Sequence, residues 1–68
     1  MDDGVRKQME GEVEEREVKL QELRTKSEIL GKGLSAANTE GYVLLHELRQ
    51  KEERLEKQIQ AYRDALEA

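Results

Sequence analysis

The 68 residues contain no cysteine, proline, tryptophan or phenylalanine. Without cysteine, no disulfide staples the chain and no thiolate can hold a metal. Aromatics are limited to Tyr42 and Tyr62, and β-branched residues are scarce, which argues against a sheet protein. The longest apolar run is Tyr42-Val43-Leu44-Leu45, far below the ~20 residues that cross a bilayer. No apolar signal-peptide segment follows Met1, so the expectation is a soluble, intracellular, cytoplasmic chain without membrane insertion. So short a chain buries little surface and is marginal unless stapled or assembled. It leaves no room for a second domain or a deep catalytic pocket.

Charge is what the sequence has in abundance. Asp, Glu, Lys and Arg make up 41 %, with 16 acids against 12 bases for a net charge of −4. Residues 1–17 carry seven of the acids and three of the bases, and the remainder balances at nine each. Bases are not clustered along the chain or interleaved with aromatics. Nucleic acid is therefore not an expected partner, since phosphate neutralisation needs grouped Lys or Arg.

The charges are spaced for helices. Acids precede bases by four residues at Asp2–Arg6, Asp3–Lys7, Glu12–Arg16, Glu15–Lys19, Glu22–Lys26, Glu28–Lys32, Glu47–Lys51 and Glu53–Lys57. Each such pair supports an exposed helix by ~0.2–0.5 kcal/mol. Apolar residues follow a 3-4 spacing. One stripe runs Met9, Val13, Arg16, Leu20, Leu23, Ser27, Leu30, Leu34, Ala37, Gly41, Leu44, Leu48. A second runs Leu45, Leu48, Glu52, Leu55, Ile59, Tyr62, Leu66. These are the a and d seams of a coiled coil, and they do not share a register.

Between them the helix weakens. Gly31, Gly33 and Gly41 lie near Ser35, Asn38 and Thr39, and each interior glycine costs a helix ~1 kcal/mol relative to alanine. Gly31 is a candidate C-terminal cap and Asn38 or Thr39 a candidate N-cap. The expected fold is all-α: one module over residues 1–68, with a helical arm at about 3–34, a turn or hinge at 35–42 and a second arm at 43–67.

Flanking charges choose between two architectures. A parallel coiled coil of long interrupted helices sets Glu12 against Glu17 and Lys19 against Arg24 of the neighbouring chain, both repulsive, while Lys51 against Glu56 in the second arm is attractive. An antiparallel hairpin brings Glu17 to Arg63 and Arg24 to Glu56, both attractive. In that hairpin the expected layers are Leu20/Tyr62, Leu23/Ile59, Ser27/Leu55, Leu30/Glu52, Leu34/Leu48 and Ala37/Leu45. Met9 and Val13 overhang. The hairpin, further oligomerised, is the expected architecture; the long helix in a parallel dimer is the alternative. The expected helix–helix interface is Leu20, Leu23, Leu30, Leu34, Leu45, Leu48, Leu55, Ile59, Tyr62 and Leu66. Glu17, Arg24, Glu52, Glu56 and Arg63 are the expected specificity charges.

No residue set carries chemistry. His46-Glu47-Leu48-Arg49-Gln50 begins like a zinc-protease helix, but Gln50 stands at the second ligand position and the chain has no other histidine, whereas a catalytic zinc takes three protein ligands. Gly31-Lys32-Gly33-Leu34-Ser35 lacks the spacing of a phosphate loop. Glu10, Glu12, Glu14, Glu15 and Glu17 read as a solvated face. Calcium demands a sharply turned loop with six to eight oxygens. Arg16, Ser27 and Glu52 are polar residues on the seam that can set its register. Tyr42, off both seams, is a candidate exposed contact, and Tyr62 a packing residue. No catalytic, cofactor or metal role is expected.

The stretch Leu20-Gln21-Glu22-Leu23-Arg24-Thr25-Lys26-Ser27, with residues 34–38 and Glu47-Leu48, resembles the antiparallel finger of Rho-effector proteins over about half the chain. The family's glycine-alanine-glutamate-asparagine signature is not in it. The resemblance implies a helical hairpin that presents one face to a small GTPase. The expected function is a non-enzymatic association or scaffold module, binding itself or helical segments of another protein. An adaptor hairpin for a regulatory partner such as a small GTPase is the alternative.

Overall fold

The computed structural model describes residues 2–35 and 37–68; Met1 and Ala36, both within the expected module, lie outside the described residues. Two helices account for the fold, α1 over Asp3–Gly33 and α2 over Thr39–Glu67. They pack side by side and antiparallel: Arg6 reaches the carbonyl of Leu66 near the open end, and Ser27 meets Glu52 nearer the turn. The molecule measures 53 × 15 × 13 Å. A single helix of this length would extend ~100 Å, so the structure is the hairpin and not the rod.

Local chemistry explains the helix ends. The Asp2 carboxylate accepts from the backbone N–H of Gly4 at 3.3 Å, and Asp3 adds negative charge to the first turn, where the helix dipole favours it. α1 then runs through Gly31 to Gly33 and stops at Leu34, which turns extended. Gly31 is therefore not a cap. No glycine among the described residues has a positive φ, so the left-handed cap is not used. α2 begins at Thr39, four residues before the expected 43. Asn38 caps it, with Oδ1 accepting from Gly41 N–H at 2.8 Å. The connection is thus shorter than expected, and Gly41 and Tyr42, expected in the turn, lie inside the helix.

Gly41 is required by close approach. A Cβ placed there would stand 2.1 Å from Leu34 Cδ2 and 3.0 Å from the Asn38 side chain. Leu34 therefore folds over the first turn of α2, just where Asn38 caps it. Gly11, in mid-α1, faces open space.

The centre of the hairpin is Val13, Leu20 and Ile59, each less than a tenth exposed, with Leu55, Tyr62 and Leu66 packed against them. Burying a side chain of this size stabilises by ~1.5–3 kcal/mol. Val13 is thus covered by the end of α2. The expected overhang is absent, because α1 and α2 differ in length by only two residues, 31 against 29, and pair nearly end to end.

These environments predict opposite effects for one substitution. Gly11→Ala should raise stability by about 0.5–1 kcal/mol. Gly41→Ala should lower it by about 1–3 kcal/mol, because the methyl meets Leu34 and the cap. Urea unfolding of both variants checks this, and equal stabilisation would refute the packing at the turn.

Candidate interaction surface

The seam carries one polar layer. Ser27 is fully buried and Glu52 is 5 % exposed. The Ser27 hydroxyl donates to Glu52 Oε2 at 2.7 Å. Glu52 Oε1 lies 3.7 Å from an Arg49 guanidinium nitrogen and 3.9 Å from Arg24 Nε. A buried carboxylate is tolerated only when its lone pairs find donors or opposite charge. Here a hydroxyl serves one oxygen and two guanidinium groups flank the other. Among the described residues no buried side-chain polar atom lacks a partner.

This layer shifts the register from the one expected. Glu52 faces Ser27, not Leu30, and Leu55 joins the Val13–Leu20–Ile59 cluster instead of facing Ser27. Leu23 and Leu55 line the same groove. Leu45 lies near Gly31 and not Ala37, which is exposed in the turn. Leu34 lies against Gly41 rather than Leu48. Leu23, Leu30, Leu34, Leu45, Leu48, Leu55, Tyr62 and Leu66 are all only partly buried.

Two flanks border the seam, and they differ. On one, Arg24 donates to Glu56 Oε1 at 2.6 Å, and Arg63 pairs with Glu17. Both contacts are those the flanking charges imply, and both are solvent-exposed pairs worth under ~1 kcal/mol. Leu20 and Ile59 sit between them.

The other flank runs as a shallow groove with three sections. Near the open end it is apolar, lined by Met9, Ala61, Tyr62 and Ala65. Next come Glu12 and Glu15, beside Arg16, Lys19 and Gln58. Towards the turn, Lys19, Lys26, Lys51 and Arg54 surround Leu23 and Leu55. Arg16 bridges the first two sections. It pairs with Glu12, donates from Nε to Gln58 Oε1 at 3.1 Å and lies 4.9 Å from the Tyr62 ring centroid. The hydrogen bond that Arg16 donates to the Glu12 carboxylate raises the Arg16 pKa above the usual guanidinium value.

The basic section is a feature the linear sequence conceals. Its cations are spaced along two helices and come together only when the helices pair. The signal that would have found it is the second flank of the hairpin, whose residues each precede a seam position. Of the expected i,i+4 pairs, Glu12–Arg16, Glu28–Lys32 and Glu53–Lys57 form. Glu15–Lys19, Glu22–Lys26 and Glu47–Lys51 are not among the ion pairs of the described residues, so these lysines remain available to other anions.

Exposed apolar residues lie outside the seam at Val18, Ile29, Tyr42, Val43 and Leu44, with Ile29 67 % exposed. No group of His, Asp and Glu among the described residues is placed to hold a metal. No described helix is long and apolar enough to cross a membrane. Fold and surface together define an all-α helical hairpin with one buried polar layer. In comparisons with known proteins, no family model, curated protein or solved structure matches the chain.

The polar layer yields a paired prediction. Ser27→Ala removes the donor from a buried carboxylate and should destabilise by about 1–3 kcal/mol. Ser27→Ala combined with Glu52→Leu should restore or exceed the original stability, because a packed apolar layer replaces a desolvated charge. Chemical denaturation of both variants decides, and a neutral Ser27→Ala would refute the role of the hydrogen bond.

Proposed function

We propose that this hairpin is a non-enzymatic association module whose work is to hold helical chains together, itself or segments of another protein. The observation that carries this reading is the incomplete cover of the seam. Val13, Leu20 and Ile59 are buried, whereas the leucines from Leu23 to Leu55 on either side of the turn remain partly open to water. Two helices bury one face each, and an isolated pair of this size rarely stabilises itself. A further helical layer would close the leucine edges and remove that surface from water. Glu17, Arg24, Glu56 and Arg63 are spent on the antiparallel pairing within the chain, with Glu52 resisting misregistered packing.

Sedimentation equilibrium from micromolar to millimolar chain tests it. The expected result is a mass above that of one chain, with helix content and melting temperature rising with concentration by mass action. A stably folded monomer across that range, with a concentration-independent melting temperature, would overturn self-association.

A further inference from the structure

We infer that the groove floored by Leu23 and Leu55 is a docking face for another protein and that its occupant is an acidic amphipathic helix. The inference rests on the association reading above and adds which face is used and the chemistry of the partner. The two flanks of the seam are electrostatically unequal. One neutralises itself through Glu17–Arg63 and Arg24–Glu56. The other is net positive: Arg16, Lys19, Lys26, Lys51 and Arg54 line it with only Glu12 and Glu15. Glu12 is already spent on Arg16. Lys19, Lys26, Lys51 and Arg54 are exposed, and none of them is among the ion pairs of the described residues. The chain as a whole carries −4, so this basic face opposes the charge of the rest of the surface.

The two helices share the groove. α1 contributes Lys19, Leu23 and Lys26, and α2 contributes Lys51, Arg54 and Leu55. Lys19 and Lys26 stand two helical turns apart, ~10 Å. Cations thus rise from both helices around a floor of two leucines that are only partly buried. A helix laid along the groove covers the leucines with an apolar stripe and meets the cations with carboxylates on either side of that stripe. A basic helix would cover the same leucines and set like charges together. A polyphosphate satisfies the cations but has no apolar stripe for Leu23 and Leu55, and Glu15 ends the basic section after those two turns. A second copy packed about a two-fold axis brings one net-positive groove onto another and is repelled.

Fluorescence anisotropy with the full chain tests the face. The probe is a labelled helical peptide with leucine at every third or fourth position and glutamate on both sides of that stripe. One companion peptide replaces glutamate with lysine; the other keeps glutamate and replaces leucine with serine. The acidic leucine peptide should bind at least about tenfold more tightly than either companion at low salt, and added salt should weaken it. Lys51→Gln with Arg54→Gln should lower its affinity at least about tenfold. Lys7→Glu, which changes the net charge equally but lies off the groove, should leave it within about threefold. Circular dichroism establishes that each variant stays helical. If the lysine peptide binds as well as the acidic one, or the groove variant binds unchanged, the occupant is wrong while the association reading stands. Equal binding of the leucine-free peptide, or of inorganic polyphosphate, would make the groove a general anion site and overturn the inference. If the groove variant loses self-association in sedimentation, the occupant is a second copy and the inference is wrong. Absence of peptide binding at millimolar chain also overturns it, and the association reading falls with it only if the chain is monomeric in sedimentation as well.

Discussion

A carboxylate inside an apolar seam can sit opposite few partners, and this constraint organises the hairpin. Glu52 interrupts a run of leucine, isoleucine and tyrosine on α2. Opposite Leu30 it would be desolvated without a donor. Opposite Ser27 it accepts a hydrogen bond from a residue small enough to be wholly enclosed. That pairing selects which turn of α1 faces which turn of α2. Val13 and Leu20 then meet Ile59 and its neighbours, and the connection closes between Gly33 and Thr39. The layer is not the main source of stability, since buried ionic groups often stabilise less than packed apolar ones. Its effect is to make alternative registers worse.

The same register determines what the surface offers. Pairing the helices consumes the charges of one flank and concentrates those of the other. Lys19, Lys26, Lys51 and Arg54 belong to a groove whose floor is leucine, beside a section where Glu12 and Glu15 lie with Arg16. The partly covered leucines are the surface on which the proposed association rests. Arg16 links the surface to the interior: it pairs with Glu12 in the groove while its guanidinium lies over Tyr62 at the edge of the buried cluster.

Much of this architecture is legible in the residues. The 3-4 spacing of Leu20, Leu23 and Leu30, and of Leu55, Ile59 and Tyr62, marks the faces that pack. The signs of Glu17, Arg24, Glu56 and Arg63 select the antiparallel hairpin over the rod. Those long side chains cannot fix the layers, however, because Arg and Glu reach across a slide of half a heptad and still pair. The layer positions follow instead from Ser27, whose importance depends on being small and a donor at once, a property that hydrophobic periodicity does not register. The turn was misplaced for a related reason: Gly41 looks like a loop residue, but it is glycine so that Leu34 can lie on it within the first turn of a capped helix. The basic groove is tertiary in origin and invisible to a linear count of charge.

The account stands on antiparallel pairing within one chain. Spin labels at Gln21 and Gln60, both on the flank where the ion pairs form, measure it directly when doubly labelled chain is diluted with unlabelled chain. Antiparallel pairing predicts a short separation, set by the roughly 10 Å between packed helix axes plus the label arms. A separation near ~58 Å, the length of 39 residues at the helical rise, would mean one continuous helix and would contradict the hairpin.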